Sequence, residues 1–452
     1  MCVMNFGGIP VLLFAALVAA FPSRASSMSP RLADRDVEAA SKVARVDRPS
    51  AAARFEQLQA AIRAARKRQD SPAYQAAANQ LKRFLHAAPP SLLEVARADM
   101  QGGDRRAALA ELDIYARMGQ AADVVDTLPE FEPLRRATAY QSIAAALAMN
   151  RLPVDAASSA FALAGTPWLP EDIDYEPRAR RFFFTSIVPG TIVSTAGDGS
   201  ISEFARAPDG WPMVALKIDA VRNRLWATEV AMSGFDTVKA SEQGRSAILC
   251  YDLRTGALLR RVEGPRPSGL GDLVLTGEGD VIVSDGDHGG LYRLRSNADR
   301  FERLDDGDFL SPQTVAIAAD GVHVFVPDYV RGIGVLDIRT RKVKWLSMKG
   351  RFAMHGIDGL YRAGRRLIAV QNGTDRQRIV VFTLDASGFG VDAERIIERA
   401  TTTLGVPTHG VVVGDAFYYI ADSGWDRLGE NGLFKTEAAK GGPAVRRASL
   451  QP

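Results

Sequence analysis

"PEDIDYEPRARRFFFTSI", residues 170–187, sets four carboxylates, Glu171, Asp172, Asp174 and Glu176, just ahead of an aromatic strand. Alone it would read as a solvated turn. It opens a series instead. From Trp168 onward, apolar residues alternate or form short runs broken by Gly, Asp and Asn, the texture of strands and tight turns. Six segments end alike, in a small residue and then a polar one: "FFFTS" to Ser186, "LWATE" to Glu229, "VIVSD" to Asp285, "VFVPD" to Asp328, "LIAVQN" to Asn372 and "FYYIAD" to Asp422. Their spacing, about 43 to 57 residues, lies in the range of propeller blades.

After most of these ends comes a third strand ("GTIVS", "AILCYDL", "GLYRL", "GIGVLDI", "RIVVFTL"). A more polar fourth often follows ("ALLRRVEG", "RFERLD", "KVKWLS"). Four strands in each of six units predict a mainly β fold, a six-bladed β-propeller over residues 166–452. Radial repetition of this kind protects short sheet edges without closing one barrel. The Asp and Asn at the strand ends have a structural use, because such side chains accept bonds from the backbone of the following turn. They are not read as catalytic. The "DGDHGG" cluster of Asp285, Asp287 and His288 is read as a turn for the same reason.

The chain before the propeller has another texture. "AAARFEQLQAAIRAARKRQ" places Phe55, Leu58, Ile62 and Ala65 on one helical face. "YQAAANQLKRFLHAAPP" stops at a double Pro. "SLLEVARADMQGGDRRAALAELDIYARMG" reads as helix, Gly-Gly-Asp turn and helix, with Leu92, Val95 and Ala96 facing Ala108, Leu109 and Leu112. Residues 51–165 are therefore predicted to form a small α-helical domain. Its hairpin resembles a tetratricopeptide unit but lacks the aromatic and Pro signature of a regular array. The polar stretch 28–50 reads as a linker. Residues 1–27 read as a signal peptide. The apolar run Ile9 to Phe21 is too short to span a bilayer, and small residues follow it near Ala25, although no Lys or Arg precedes it. The expectation is an exported protein, periplasmic or secreted, with no membrane span once the signal is removed.

Fifty-six basic and fifty-three acidic residues leave a formal charge of +3. That is too weak to imply nucleic acid as a partner. The run Arg63, Arg66, Lys67 and Arg68 reads as a solvated helix face. Of two cysteines, Cys2 leaves with the signal and Cys250 sits in an apolar strand, so no internal disulfide and no paired-cysteine redox or zinc site is expected. No GxSxG, HExxH, P-loop or dinucleotide fingerprint occurs.

The carboxylate stretch lies at the start of the first innermost strand. The matching starts are "PMVALKID" near Val214, "SGLGDLVL" near Gly271, "SPQTVAI" near Gln313, "MHGIDGLY" near Asp358 and "VPTHGVVV" near Thr408 and His409. In a propeller these strands line a central channel and their first residues ring one mouth. Glu171, Gln313, Asp358 and His409 then converge from separate blades, and oxygen ligands so gathered suit a hard divalent cation. The competing readings are an ion pair from Glu171 to Arg178 or Arg180, a turn held by Asp358, and His355 and His409 as ordered loop residues.

"PEDIDYEP", "GLGDLVLTGEGDVIVSDGDHGGLYRL", "SPQTVAIAADGVHVFVPDY", "GIDGLY" and "PTHGVVVGDAFYYIADSGWD" together resemble the SMP-30/gluconolactonase-type propellers, with strictosidine-synthase-like and NHL-type propellers close in pattern. The resemblance spans roughly residues 168–435 and leaves the helical part aside. It implies one divalent cation held by a Glu, two Asn and an Asp from four inner strands, the Asp also serving as general base in lactone hydrolysis. Those positions fall on Glu171, Gly271, Gln313 and Asp358. Gly271 brings no side chain, and Gln313 is a longer amide. Asp272 is adjacent, but strand alternation points it away from the channel. His409 is near enough in register to fill the gap, as a softer ligand that suits Zn better than Ca. The implied cofactor is thus a divalent cation, Ca, Zn or Mg. The implied activity is metal-dependent hydrolysis of a sugar lactone or related ester, with Asp358 catalytic and Glu171, Gln313, Asp358 and His409 at the metal. The alternative is a non-catalytic propeller that binds a small molecule at its mouth and docks a protein partner on its helical module.

Overall fold

The computed structural model describes residues 49–163, 168–198, 200–348, 351–429, 431–435 and 443–451. The predicted signal segment and all but the last two residues of the predicted linker lie outside them. Among the described residues no helix is long and apolar enough to cross a membrane.

The helices Ala51–Lys67, Ser71–Phe84, Pro89–Gln101 and Arg105–Arg117 pack as antiparallel neighbours. Ser50, Asp70 and Asp104 cap three of them by accepting the backbone N–H three residues on. The double Pro opens the third helix, where a missing N–H costs nothing. Leu92, Ala96, Ala108 and Leu112 share one core, as the pattern predicts. Val95 turns to the other side and packs with Leu81 and Leu85. Three short helical segments and the helix Thr138–Asn150 complete the module.

Six sheets follow around a ring. Blade 1 is Pro170–Glu176, Arg181–Ser186, Thr191–Thr195 and Ser202–Arg206, innermost strand first, and blades 2 to 4 repeat the order. Blade 5 carries two further short strands, of which Val154–Asp155 extends its outer edge. Blade 6 is built from both ends of the propeller segment. Gly410–Val413, Ala416–Asp422 and Ala444–Ser449 are joined by Ala157–Ala162 as the outermost strand. The predicted boundary at residue 166 leaves residues 157–162 with the helices, because the small residues of "ASSAFA" carry no clear apolar alternation. Its partner supplies the edge that orders it.

The blades pack face to face through buried apolar side chains, such as Phe183, Ile192, Leu216, Leu225 and Leu249 between blades 1 and 2. Cys250 is buried between blades 2 and 3 as a free thiol, and burial pushes that thiol up to about 11. In blades 1 and 2 the small polar residue near the second-strand end has a further task. Thr185 donates to the Val214 carbonyl at 2.7 Å and Thr228 to the Gly271 carbonyl at 2.7 Å, so hydroxyls stitch one blade to the next beside the channel.

The helical module sits on the face where the inner strands begin. Ala51 N–H donates to Gly307 O at 2.8 Å, Ala121 N–H to Asp375 O at 2.8 Å, and Arg399 to the Met149 and Leu152 carbonyls. All these propeller positions lie at second-strand exits or blade-to-blade connections on the mouth side of blades 3 to 5. Arg331 is the clamp. Its guanidinium lies 4.2 Å from the Phe84 ring centre and 4.3 Å from that of Trp345. It also donates to Phe84 O, Asp308 O and His86 Nε2. Ala353 joins one helical core, and Leu310 and Val330 pack on the other. His355 belongs to this seam, buried and neutral, not to the channel.

Candidate functional site

The four carboxylates of the opening stretch have four different fates. Asp172 accepts from Lys217 Nζ at 2.6 Å and from the Leu216 N–H at 2.9 Å. Asp174 accepts the Ile218 N–H at 2.8 Å. Both brace blade 1 against blade 2. Glu176 accepts from Arg178 N–H and Ala179 N–H, holding the turn. Of these four, only Glu171 faces the mouth, and among the described residues no Arg pairs with it. Its Oε2 accepts from Trp425 Nε1 at 2.5 Å, and its Oε1 is buried without a partner.

Blades 1, 5 and 6 bring Glu171, Asp358 and His409 together. Each offers one ligand-type atom, and these atoms lie within 4.8 Å of one another, all buried. Asp358 Oδ2 accepts from Asn372 Nδ2 at 2.7 Å, and Asn372 Oδ1 accepts from Tyr329 at 3.0 Å. That relay needs close backbone. Gly356, at φ 63°, lies against Gly373, and a side chain at Gly373 would strike the Tyr329 ring.

His409 is held on both ring nitrogens. Nδ1 faces the Glu171 carbonyl at 2.8 Å, which can only accept. Nε2 faces Asp272 Oδ1 at 3.0 Å and Thr314 Oγ1 at 2.9 Å. With both nitrogens donating, the ring is a buried imidazolium. Burial opposes that charge, but Asp272 outweighs it and holds His409 well above its usual value. Asp272 feels the same pair from the other side: burial opposes ionisation, yet His409 holds it below the usual carboxylate range. To ligate a metal, His409 would have to release Asp272 and Thr314. Its geometry is that of a counter-ion.

The position of Asp272 corrects the alternation argument. The inner strand of blade 3 shifts register between Leu270 and Leu273, and a bulge of this kind re-aims a side chain. The inner strands of blades 1, 2 and 5 shift register at the same level. Gln313 reaches the mouth of blade 4, but its amide nitrogen donates to Ser311 Oγ at 3.0 Å and to the Ser311 carbonyl. Its neighbour Thr314 is the residue that touches His409.

The remaining acids carry the cost of convergence. Burial, with Asp358 and Asp272 nearby, pushes Glu171 up to about 8 against the pull of His409. Burial and Asp272 push Asp358 up to about 6. Of the two acids, Glu171 holds its proton the more tightly and Asp358 gives its own up first.

Asp272, Thr314, Asn372 and Trp425 were not found from the sequence. Asn372 was visible as one of six strand ends and was read, like the others, as a turn residue. Asp285 and Asp328 do serve turns: Asp285 accepts the His288 N–H and Asp328 accepts those of Val330 and Arg331. Nothing local distinguished Asn372 from them.

No family model and no curated protein matches this chain. Solved structures similar to it include virginiamycin B lyase from Staphylococcus aureus (13% identity, 64% of this chain and 97% of that one, TM-score 0.45). Others are the PQQ-bound aldose sugar dehydrogenase from Streptomyces coelicolor (13%, 65% and 99%, 0.44) and a luciferin-regenerating enzyme (12%, 66% and 99%, 0.44). At such identities the likeness concerns the fold alone.

Proposed function

We propose that this protein is an exported propeller whose mouth takes a divalent cation and hydrolyses a sugar lactone or related ester. One observation carries the reading: two buried acids, Glu171 and Asp358, converge from different blades, and Glu171 Oε1 has no partner. Such a pair forces one acid to hold its proton, as the raised value of Glu171 shows, and a cation between them would release it. Glu171 and Asp358 would hold the cation, with the Gln313 amide oxygen as the nearest further candidate. When bound, it would polarise the acyl carbonyl and lower the proton affinity of both acids. Asp358, kept in place by Asn372, takes the proton of the attacking water. The water oxygen bonds to the acyl carbon, the ring C–O bond breaks, and Asp358 passes the proton on to the leaving ring oxygen. His409 keeps a fixed positive charge beside the acids.

The second reading, a propeller of the same family pattern that binds a ligand without turning it over, is favoured by two observations. Gly271 offers no ligand where the resemblance requires an Asn, and both His409 nitrogens are engaged. In either reading the tetratricopeptide-like helices serve as a docking surface for a protein partner in the periplasm or outside the cell.

Thermal melting with and without Ca, Mg, Mn or Zn, paired with a lactone-hydrolysis screen in the presence and absence of chelator, tests the proposal. A cation at 100 times its Kd stabilises by about 2.7 kcal/mol. Glu171→Gln and Asp358→Asn should each blunt that rise, and Gln313→Ala should blunt it less. No shift at millimolar concentration with any of the four ions would remove the cation and leave the binding reading.

A further inference from the structure

We infer that Trp425 is the positioning residue for Glu171 and an apolar wall of the mouth. The inference rests on the reading that this mouth is the working site, but it concerns a residue that neither the sequence pattern nor the ligand set singles out. Trp425 opens the short turn Trp425–Arg427, just past the second strand of blade 6. Its ring joins a cluster contributed by three blades: Leu169 and Ile187 from blade 1, Phe235 and Val238 from the long connection of blade 2, and Leu428 and Phe434 from blade 6. The half-buried indole therefore has its plane set by packing.

From that fixed ring one polar atom projects. An indole N–H can only donate, so the Glu171 oxygen it meets can only accept. The bond at 2.5 Å commits Oε2 and leaves Oε1 as the one carboxylate oxygen for whatever enters the mouth. Two features hold the turn that carries the ring. Gly424 adopts φ 90°, with the Arg427 guanidinium in the space a side chain would need. Arg427 in turn reaches Asp422 at 3.3 Å. Blade 6 thus sets the rotamer of a blade 1 residue across their seam.

Two readouts test this on the full chain. The indole N–H resonances of the five tryptophans are followed by proton–nitrogen correlation in metal-free protein. The resonance that Trp425→Phe removes should be the one that Glu171→Gln displaces. A Trp425 resonance indifferent to Glu171→Gln overturns the inference. If Trp425→Phe does not fold, Trp425→Leu supplies the assignment. If neither folds, Glu171→Gln alone decides, by moving an indole resonance or moving none. The second readout is the cation concentration at half-maximal rise in melting temperature. Loss of an outer hydrogen-bond partner typically weakens metal binding by about 10- to 100-fold, so Trp425→Phe should raise that midpoint about 10-fold. A lower metal-free melting temperature with an unchanged midpoint would make Trp425 merely structural and overturn the inference. Absence of any cation response in wild type sinks the cation reading, while the resonance test still decides the role of Trp425.

Discussion

Asp272→Ala is the perturbation that bears hardest on the charge arrangement of the mouth. The carboxylate lies 3.0 Å from His409 Nε2, and both residues are buried. Removing one partner of a buried ion pair leaves the other uncompensated, at a cost of about 3–5 kcal/mol. Asp272→Asn keeps the volume, and its amide can donate to the lone pair of a neutral imidazole, so its cost should fall to about 1–2 kcal/mol. The assay is urea unfolding followed by tryptophan fluorescence, with a double-mutant cycle against His409→Gln. The coupling should exceed about 1.5 kcal/mol, because each single change strands the same partner. The pH dependence has a definite sign. His409 has a raised folded value, so its contribution is fully present below its ordinary 6.5 and fades as pH rises through that higher value. Asp272 has a depressed value, so its contribution is lost as pH falls below 3.8 toward that lower value. The difference between wild type and Asp272→Ala should therefore be widest between the ordinary values of the two groups, 3.8 and 6.5, and shrink on either side. A cost under about 1 kcal/mol, or additive single effects, would refute the buried imidazolium.

In the absence of divalent ions, the raised values of Glu171, about 8, and Asp358, about 6, should make stability fall as pH rises from about 4 to 8. Saturating cation should flatten that slope, and cation affinity should climb over the same range, as read by melting curves across pH. Arg331→Ala removes a guanidinium from between two aromatic rings at the seam. Each desolvated stack is worth up to about 2 kcal/mol, so calorimetry should show the helical module melting ahead of the propeller, and a single unchanged transition would contradict the clamp. A fragment beginning at residue 168 lacks the Ala157–Ala162 strand and leaves the edge of Ala444–Ser449 unpaired. It should aggregate on size exclusion where a fragment from residue 153 elutes as a monomer.

The propeller was legible because its causes are local and repeated. Strand endings at Ser186, Glu229, Asp285, Asp328, Asn372 and Asp422 recur at blade spacing. Each blade needs only alternation and turn residues to form, so the period shows in the chain. The helical hairpin was legible for the same reason, through helical spacing and the Gly-Gly-Asp turn. Glu171 and Asp358 could be placed at the mouth because a start of an inner strand in one blade predicts the starts in the others.

Tertiary structure alone decided what those residues meet. Asp272 reaches His409 only because a bulge breaks the alternation that would have pointed it elsewhere. Trp425 meets Glu171 across 254 positions, and Thr314 meets His409 across 95. Asn372 is the one amide among the six strand ends, and only the carboxylate opposite it gives that amide a role. Ring closure by residues 157–162, and the helices seated on the mouth face, likewise depend on which edges remain unpaired once six blades have formed. Hydrogen bonds and charges act over a few ångströms, whereas sequence separation carries no record of that distance until the ring closes.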